Sequence, residues 1–212
     1  TNKPFTKYVE GVSMRSIWGV RSLGINPATG EEVFLNPDGS SSDTWQSSNQ
    51  VVLGTTEPDA QGSFGLNLSY KNFSLFANFM YEFGGQRYNS TLVDRVENAD
   101  IYSENVDKRV YTSRWQKPGD IAKYKKLESG RDGRPASTRP TSRFVQDYNM
   151  VSLNSISLGY DFSKEWLKRT GLSVVRFEIG AEDIARWSSV KEERGLSYPF
   201  ARTINFSLRA SF

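Results

Sequence analysis

The sequence contains no cysteine and no histidine. Without cysteine there is no disulfide framework and no thiolate metal site. Without histidine the chain lacks the commonest metal ligand and the side chain best suited to moving protons near neutral pH. No phosphate-cradling glycine loop and no GxSxG elbow occurs either, and the scattered carboxylates define no acid–base pair by their spacing. These gaps point away from an enzyme, and no cofactor or metal is implied. A run of about twenty apolar residues is also missing and mean hydropathy is −0.57, so no helix is expected to cross a bilayer. A barrel strand escapes that exclusion, because it needs only about ten residues with polar and apolar positions alternating.

What is present is aromatic and alternating. Aromatic residues make up 13% of the 212 positions, with ten Tyr and five Trp, which suits a carbohydrate-binding β-protein or the aromatic girdle of a barrel. The chain starts Thr1-Asn2-Lys3-Pro4 with neither an initiating Met nor a signal peptide, so it reads as a piece of something longer. Its last ten residues alternate without exception: Ile204, Phe206, Leu208, Ala210 and Phe212 on one face, Thr203, Asn205, Ser207, Arg209 and Ser211 on the other. Successive strand residues point to opposite faces. A soluble sandwich strand alternates too, whereas a closing strand that ends on Phe is how outer-membrane barrels finish.

The same period recurs upstream. Residues 62–83 read as a hairpin, Phe64, Leu66, Leu68 and Tyr70 returning through Phe73, Leu75, Ala77, Phe79, Tyr81 and Phe83, with almost nothing between the two runs. In 150–162, Ile156, Leu158, Tyr160 and Phe162 share a face, but Val151 and Leu153 are out of phase, which predicts a bulge near Asn154. Residues 163–172 predict one helical turn, and 174–184 a strand with Val175, Phe177, Ile179 and Ala181 together. Residues 12–23 alternate less cleanly and supply a sixth candidate strand. Turns are expected at Asn26–Gly30 and Asn36–Gly39, where Pro presets φ and Gly accepts positive φ.

Residues 84–148 show no sustained period, which weighs against a compact soluble domain and suits an outward barrel loop. If Phe212 ends at the periplasm, loops 24–60, 84–148 and 185–201 fall on the extracellular side, with turn 70–72 and link 163–172 periplasmic. The expected fold is therefore all-β: antiparallel C-terminal strands of a transmembrane β-barrel, about six of them, with long extracellular loops and short periplasmic turns.

Five blocks carry a family resemblance: 18–30 (Trp-Gly-Val-Arg-Ser-Leu-Gly-Ile-Asn-Pro-Ala-Thr-Gly), 62–75 (Gly-Ser-Phe-Gly-Leu-Asn-Leu-Ser-Tyr-Lys-Asn-Phe-Ser-Leu), 107–120 (Asp-Lys-Arg-Val-Tyr-Thr-Ser-Arg-Trp-Gln-Lys-Pro-Gly-Asp), 140–147 with 153–162, and 198–203 (Tyr-Pro-Phe-Ala-Arg-Thr). In this order they resemble the C-terminal end of TonB-dependent outer-membrane transporters of the SusC/RagA family. The resemblance implies that 1–212 is the C-terminal part of such a barrel, without its plug or N-terminal extension. It implies a bacterial outer-membrane location and a parent protein that imports large nutrients, glycans or peptides, in an active, TonB-energised way. The implied partners are a SusD-like lipoprotein, the TonB complex through the missing N-terminal part, the barrel-assembly machinery, and outer-membrane lipid and lipopolysaccharide. Ile204, Phe206, Leu208, Ala210 and Phe212 would be the signal that this machinery reads.

Charge adds a candidate contact surface. Between Lys108 and Arg143 eleven basic residues face three acidic ones, a net +8 in a chain of +3. Such a run is either a solvated loop or a surface drawn to an anionic partner. Trp45, Trp115, Tyr124, Lys123, Lys125 and Lys126 are the candidate ligand or partner contacts, and the barrel strands argue against nucleic acid. The rival reading is a soluble β-rich carbohydrate-binding module that would use exposed Trp45, Trp115 and Trp187.

Overall fold

In the computed structural model the structure describes residues 4, 6–102, 105–127, 137–168, 171–191 and 201–212. Arg131, Arg134 and the block at 198–200 lie outside the described residues. The strands are β1 (Ser16–Val20), β2 (Ser22–Ile25), β3 (Glu32–Leu35), β4 (Ser41–Ser42), β5 (Gln50–Thr55), β6 (Ala60–Tyr70), β7 (Phe73–Tyr88), β8 (Val145–Asp161), β9 (Val174–Ser188) and β10 (Thr203–Ser211). The chain divides into two compact units, one of residues 58–84 and 148–212 and the other of the described residues of 1–57 and 85–147.

The first unit is a strand meander. Its antiparallel sheet has the order β10-β9-β8-β7-β6. The β6–β7 hairpin pairs Tyr70 with Phe73, Leu68 with Leu75 and Phe64 with Phe79. It turns through Lys71 at φ +53°, a left-handed conformation that tight hairpin turns require. The β9–β10 register sets Ile204 against Ala181, Phe206 against Ile179 and Leu208 against Phe177. Directly paired residues point the same way, so the apolar sets of adjacent strands merge into one face. The bulge expected near Asn154 is there: β8–β9 pairing passes from Leu153↔Ala185 to Ser155↔Glu182, skipping Asn154 on one strand and Asp183 and Ile184 on the other. Asp183 takes φ +54°. The helical turn expected after β8 is α3 (Lys164–Leu167).

Two boundaries differ from expectation. β9 runs on to Ser188 and β8 starts at Val145, so both neighbouring loops are shorter than the sequence pattern suggests. The sixth candidate strand is not in this sheet. Residues 12–23 break into β1 and β2, and β1 pairs with β5 instead. The reason is visible in its burial: Ile17, Trp18, Gly19 and Val20 are buried in succession, so both sides of the strand are covered. Gly19 sits so close to Leu53 and to the Pro140 carbonyl that a Cβ would lie 2.7 Å from the one and 2.9 Å from the other.

The second unit contains the two-stranded β1–β5 sheet and the three-stranded β2-β3-β4 sheet. Both predicted turns form. The Asn26 carbonyl accepts from Gly30 N at 2.8 Å, the Asn36 carbonyl from Gly39 N at 3.0 Å, and both glycines have positive φ. After β7, α1 (Ser90–Leu92) is capped by Asn89, whose side chain accepts from Leu92 N at 2.9 Å. It widens into a π turn at Val93–Glu97, and α2 (Arg109–Thr112) follows. Val93 and Val96, three apart and so on one helical side, join Ala99, Val110, Tyr124 and Phe144 in the core of this unit.

Candidate functional site

The sheet of the first unit has two chemically distinct faces. On one lie Ile204, Phe206, Leu208, Phe177, Ile179, Leu158, Phe64 and Leu66, all apolar and all exposed, with Leu208 at 70% and Phe206 at 68%. An exposed apolar surface that spans five strands is far beyond what scattered surface residues produce. Aromatic rings flank it at both ends. Toward one end Phe73 meets Tyr160 at 4.8 Å, Tyr160 meets Phe162 at 5.1 Å and Phe162 meets Trp166 at 5.0 Å. Toward the other end Tyr81 stacks on Phe83 at 5.8 Å, and Trp187 is exposed. From Phe73 to Phe83 the strand covers roughly 33 Å at ~3.3 Å per residue. At the usual tilt of about 40° this becomes about 25 Å, the height of the lipid-facing band of a barrel.

The opposite face carries polar side chains and one organised cluster. Arg176 on β9 bonds Asp161 at 3.2 Å, Glu178 at 3.4 Å and the Ser74 hydroxyl on β7 at 2.7 Å. To reach Ser74 it crosses β8 over Gly159, where a Cβ would stand 2.5 Å from the Arg176 guanidinium and 2.7 Å from Ser74 Oγ. The glycine therefore opens the passage for the arginine. A continuous apolar face backed by a hydrogen-bonded polar face is the wall of a transmembrane β-barrel.

In the second unit the chemistry is internal. Arg143 binds Glu32 through two bonds, Nε to Oε1 at 2.8 Å and Nη2 to Oε2 at 2.7 Å. The same Nη2 reaches Glu97 Oε1 at 2.7 Å, and Nη1 donates to the Lys123 carbonyl at 2.8 Å. The side chains of Glu32 and Glu97 are 5% and 0% exposed. Burial works against the Arg143 charge, but hydrogen bonding and attraction from Glu32, then from Glu97, hold its pKa above the usual arginine range. Arg114, also buried, donates to the carbonyls of Val110, Lys125, Glu97 and Val96. Burial lowers its pKa, with Glu97 opposing.

These contacts place the residues predicted from sequence. Tyr124 belongs to the core and is 7% exposed, so it presents no ring to a partner; burial raises the pKa of its phenol. Trp115 donates Nε1 to the Pro27 carbonyl at 2.8 Å and packs on Gly30. Trp45 donates to the Pro140 carbonyl at 3.1 Å, with the Arg139 guanidinium 4.9 Å above its ring. Both indoles are half-buried and anchor loops, so among the three tryptophans of the carbohydrate-module reading Trp187 alone is exposed. Lys126 pairs with Glu31 at 2.8 Å. Lys125 is half-buried, its pKa lowered by burial against the pull of Glu97 and Glu32. It lines a cavity of about 180 Å³ with Trp45, Glu32, Thr138 and Arg139. Lys123 is exposed. Much of the basic run is thus spent inside the unit: Arg143 and Arg114 as above, and Arg109 on Asp107 at 2.7 Å. Sequence reasoning missed Arg143–Glu32 because 111 positions separate the partners.

No family model matches the chain. It is 26% identical over 217 residues to TonB-dependent receptor P3 of Formosa agariphila, covering 92% of this chain and 20% of that protein. It is 30% identical over 124 residues to TonB-dependent receptor P39 of the same organism, covering 58% and 12%. Its fold matches the RagAB peptide importer in the open-open state with TM-score 0.69 at 17% identity, over 93% of this chain and 22% of that one. The closed-closed state gives 0.67. The chain therefore spans a fifth or less of the length of the curated relatives it matches. Its sequence is thus similar to a part of TonB-dependent receptors and its fold to a part of the RagAB importer, and the bacterial outer membrane is its location.

Proposed function

We propose that the full-length protein carrying this segment is an active importer of large nutrients, glycans or peptides, energised through TonB and working with a SusD-like lipoprotein lid. The observation that carries the reading is the five-stranded wall, apolar and exposed on one side and polar on the other. Likeness of fold to a peptide importer supports it. Uptake of labelled peptides and oligosaccharides is compared in cells with the gene, without it, and without TonB. Loss in both deletions is expected. Uptake that persists without TonB refutes the energising step.

Within that reading, the loop between β7 and β8 lies outside the cell and α3 faces the periplasm. Epitope tags at 116–120 are then labelled on intact cells and a tag at 165–168 is not; the reverse pattern overturns the topology. Ile204, Phe206, Leu208, Ala210 and Phe212 act as the signal for the barrel-assembly machinery, and removing Phe212 lowers outer-membrane level far more than Ser211→Ala. Contact with the lipoprotein or with lipopolysaccharide falls to the exposed lysines Lys108, Lys117 and Lys123, since Lys126 is engaged by Glu31. Neutralising those three slows association with the lipoprotein at low salt, and the defect shrinks as salt screens it.

A further inference from the structure

Charges along one row of the sheet do not balance. Asp161 on β8 stands directly opposite Arg176 on β9, and Arg176 stands directly opposite Arg209 on β10. All three lie on the polar face. Read across the strands the row is negative, positive, positive. Arg176 is satisfied on its own side by Asp161, Glu178 and Ser74. Arg209 faces a like charge and has no ion pair among the described residues. Like charges directly opposite in a sheet are destabilising, and opposite charges stabilise. The polar-face rows toward the start of β10 pair Ser207 with Glu178, Asn205 with Gly180 and Thr203 with Glu182, so the fault is confined to one row.

β10 is also an edge of the described sheet. Its outer edge presents backbone N–H and C=O groups along Thr203–Ser211. In a bilayer such groups must be paired, so another strand runs beside it. We propose that this neighbouring strand of the full-length protein carries an Asp or Glu on its lumen face in register with Arg209. The row then reads acid, arginine, arginine, acid across four strands, and each arginine is flanked by a carboxylate on its outer side. The inference rests on the barrel reading and adds the chemistry that fixes the register of the closing contact. A strand slipped by one residue would place an apolar side chain beside Arg209, since the period of a strand is two; a slip of two would leave Arg209 beside Arg176 uncompensated.

The test uses the full-length protein in outer membranes. This segment contributes no native cysteine, so Arg209→Cys is combined with single cysteines at successive lumen-facing positions of the strand beside β10, and disulfide formation is scored. The position that cross-links natively holds Asp or Glu. Neutralising that acid to Asn or Gln lowers the temperature at which the folded form is lost, and the loss largely disappears in an Arg209→Gln background. A cross-linked position that is natively neutral or basic overturns the proposal while leaving the barrel intact. Equal losses in both backgrounds overturn it too. No cross-link at any position, with the protein missing from the membrane fraction, removes the barrel reading itself and the proposal with it.

Discussion

Replacing Arg143 by alanine isolates the energetic centre of the loop unit. The substitution leaves the Glu32 and Glu97 carboxylates, 5% and 0% exposed, without their common cation. Removing one partner of a buried ion pair costs roughly 3–5 kcal/mol, most of it the penalty of the stranded charge. Two carboxylates are stranded here, so the lower bound of about 3 kcal/mol is the conservative figure. The cost appears as local opening, because the barrel strands do not depend on this contact. Hydrogen exchange of the Asn98 amide, which donates to the Val93 carbonyl at 2.8 Å, reads it directly. At about 1.4 kcal/mol per tenfold, protection falls by about a hundredfold. Arg143→Lys recovers part of this, since an ammonium cannot make the forked bond to Glu32 and reach Glu97 as well. Combining Arg143→Met with Glu32→Gln and Glu97→Gln recovers part of the protection, because no carboxylate is left stranded, while the buried Arg114 loses the supporting charge of Glu97. Unchanged Asn98 exchange in Arg143→Ala would refute the reasoning.

Three other outcomes follow from the geometry. Ile204→Arg puts a charge on the apolar face in the row of Ala181 and Ile156, away from the aromatic end at Tyr160, and costs up to about 2–4 kcal/mol, whereas Asn205→Arg on the polar face is tolerated; equal folded levels of both in outer membranes contradict the assignment of faces. Burial raises the folded pKa of Tyr124 above its ordinary 10.0, so its contribution is intact below pH 10 and is lost as pH climbs through the higher folded value. Tyr124→Phe removes that alkaline loss in a pH series of Asn98 exchange, and an identical alkaline slope in both proteins argues against it. Gly30→Ala loosens the Trp115 anchor, because φ there is +73° and a Cβ would meet the indole at 2.5 Å; a shift in tryptophan fluorescence reports it, and an unchanged spectrum counts against it.

The meander was legible because strand period and face agree over many residues. Phe64 to Phe83 and Ile204 to Ala210 needed nothing beyond alternation, and the slip in phase before Ile156 located the bulge at Asn154. The end of β9 was not legible. The alternation of Val175, Phe177, Ile179 and Ala181 is lost after Asp183, which ended the expected strand at 184, yet Asp183 adopts a left-handed conformation and the strand resumes with Ala185 and Trp187 paired to Leu153 and Val151. The misassigned strand at 12–23 failed for a related reason: Trp18 and Val20 are apolar because loops cover them, and composition cannot tell cover by protein from cover by lipid. The basic run was visible as charge, but whether a cation is solvated depends on partners distant in sequence. Glu32 for Arg143 and Glu31 for Lys126 come from another part of the chain altogether.

Arg114 holds its neighbours by their main chain. Four of its five N–H donors engage the carbonyls of Val96, Glu97, Val110 and Lys125, and a carbonyl is the same group whatever side chain accompanies it. The anchor is thus indifferent to what the loop displays outward. Residues such as Tyr111 and Ile121, which are strongly exposed, can be exchanged through evolution or by design while the scaffold beneath them keeps its shape. One guanidinium gives an otherwise irregular stretch the tolerance to variation that regular hydrogen-bonded structure gives to helices and sheets, and a surface that can diversify on a fixed frame is open to new partners without refolding.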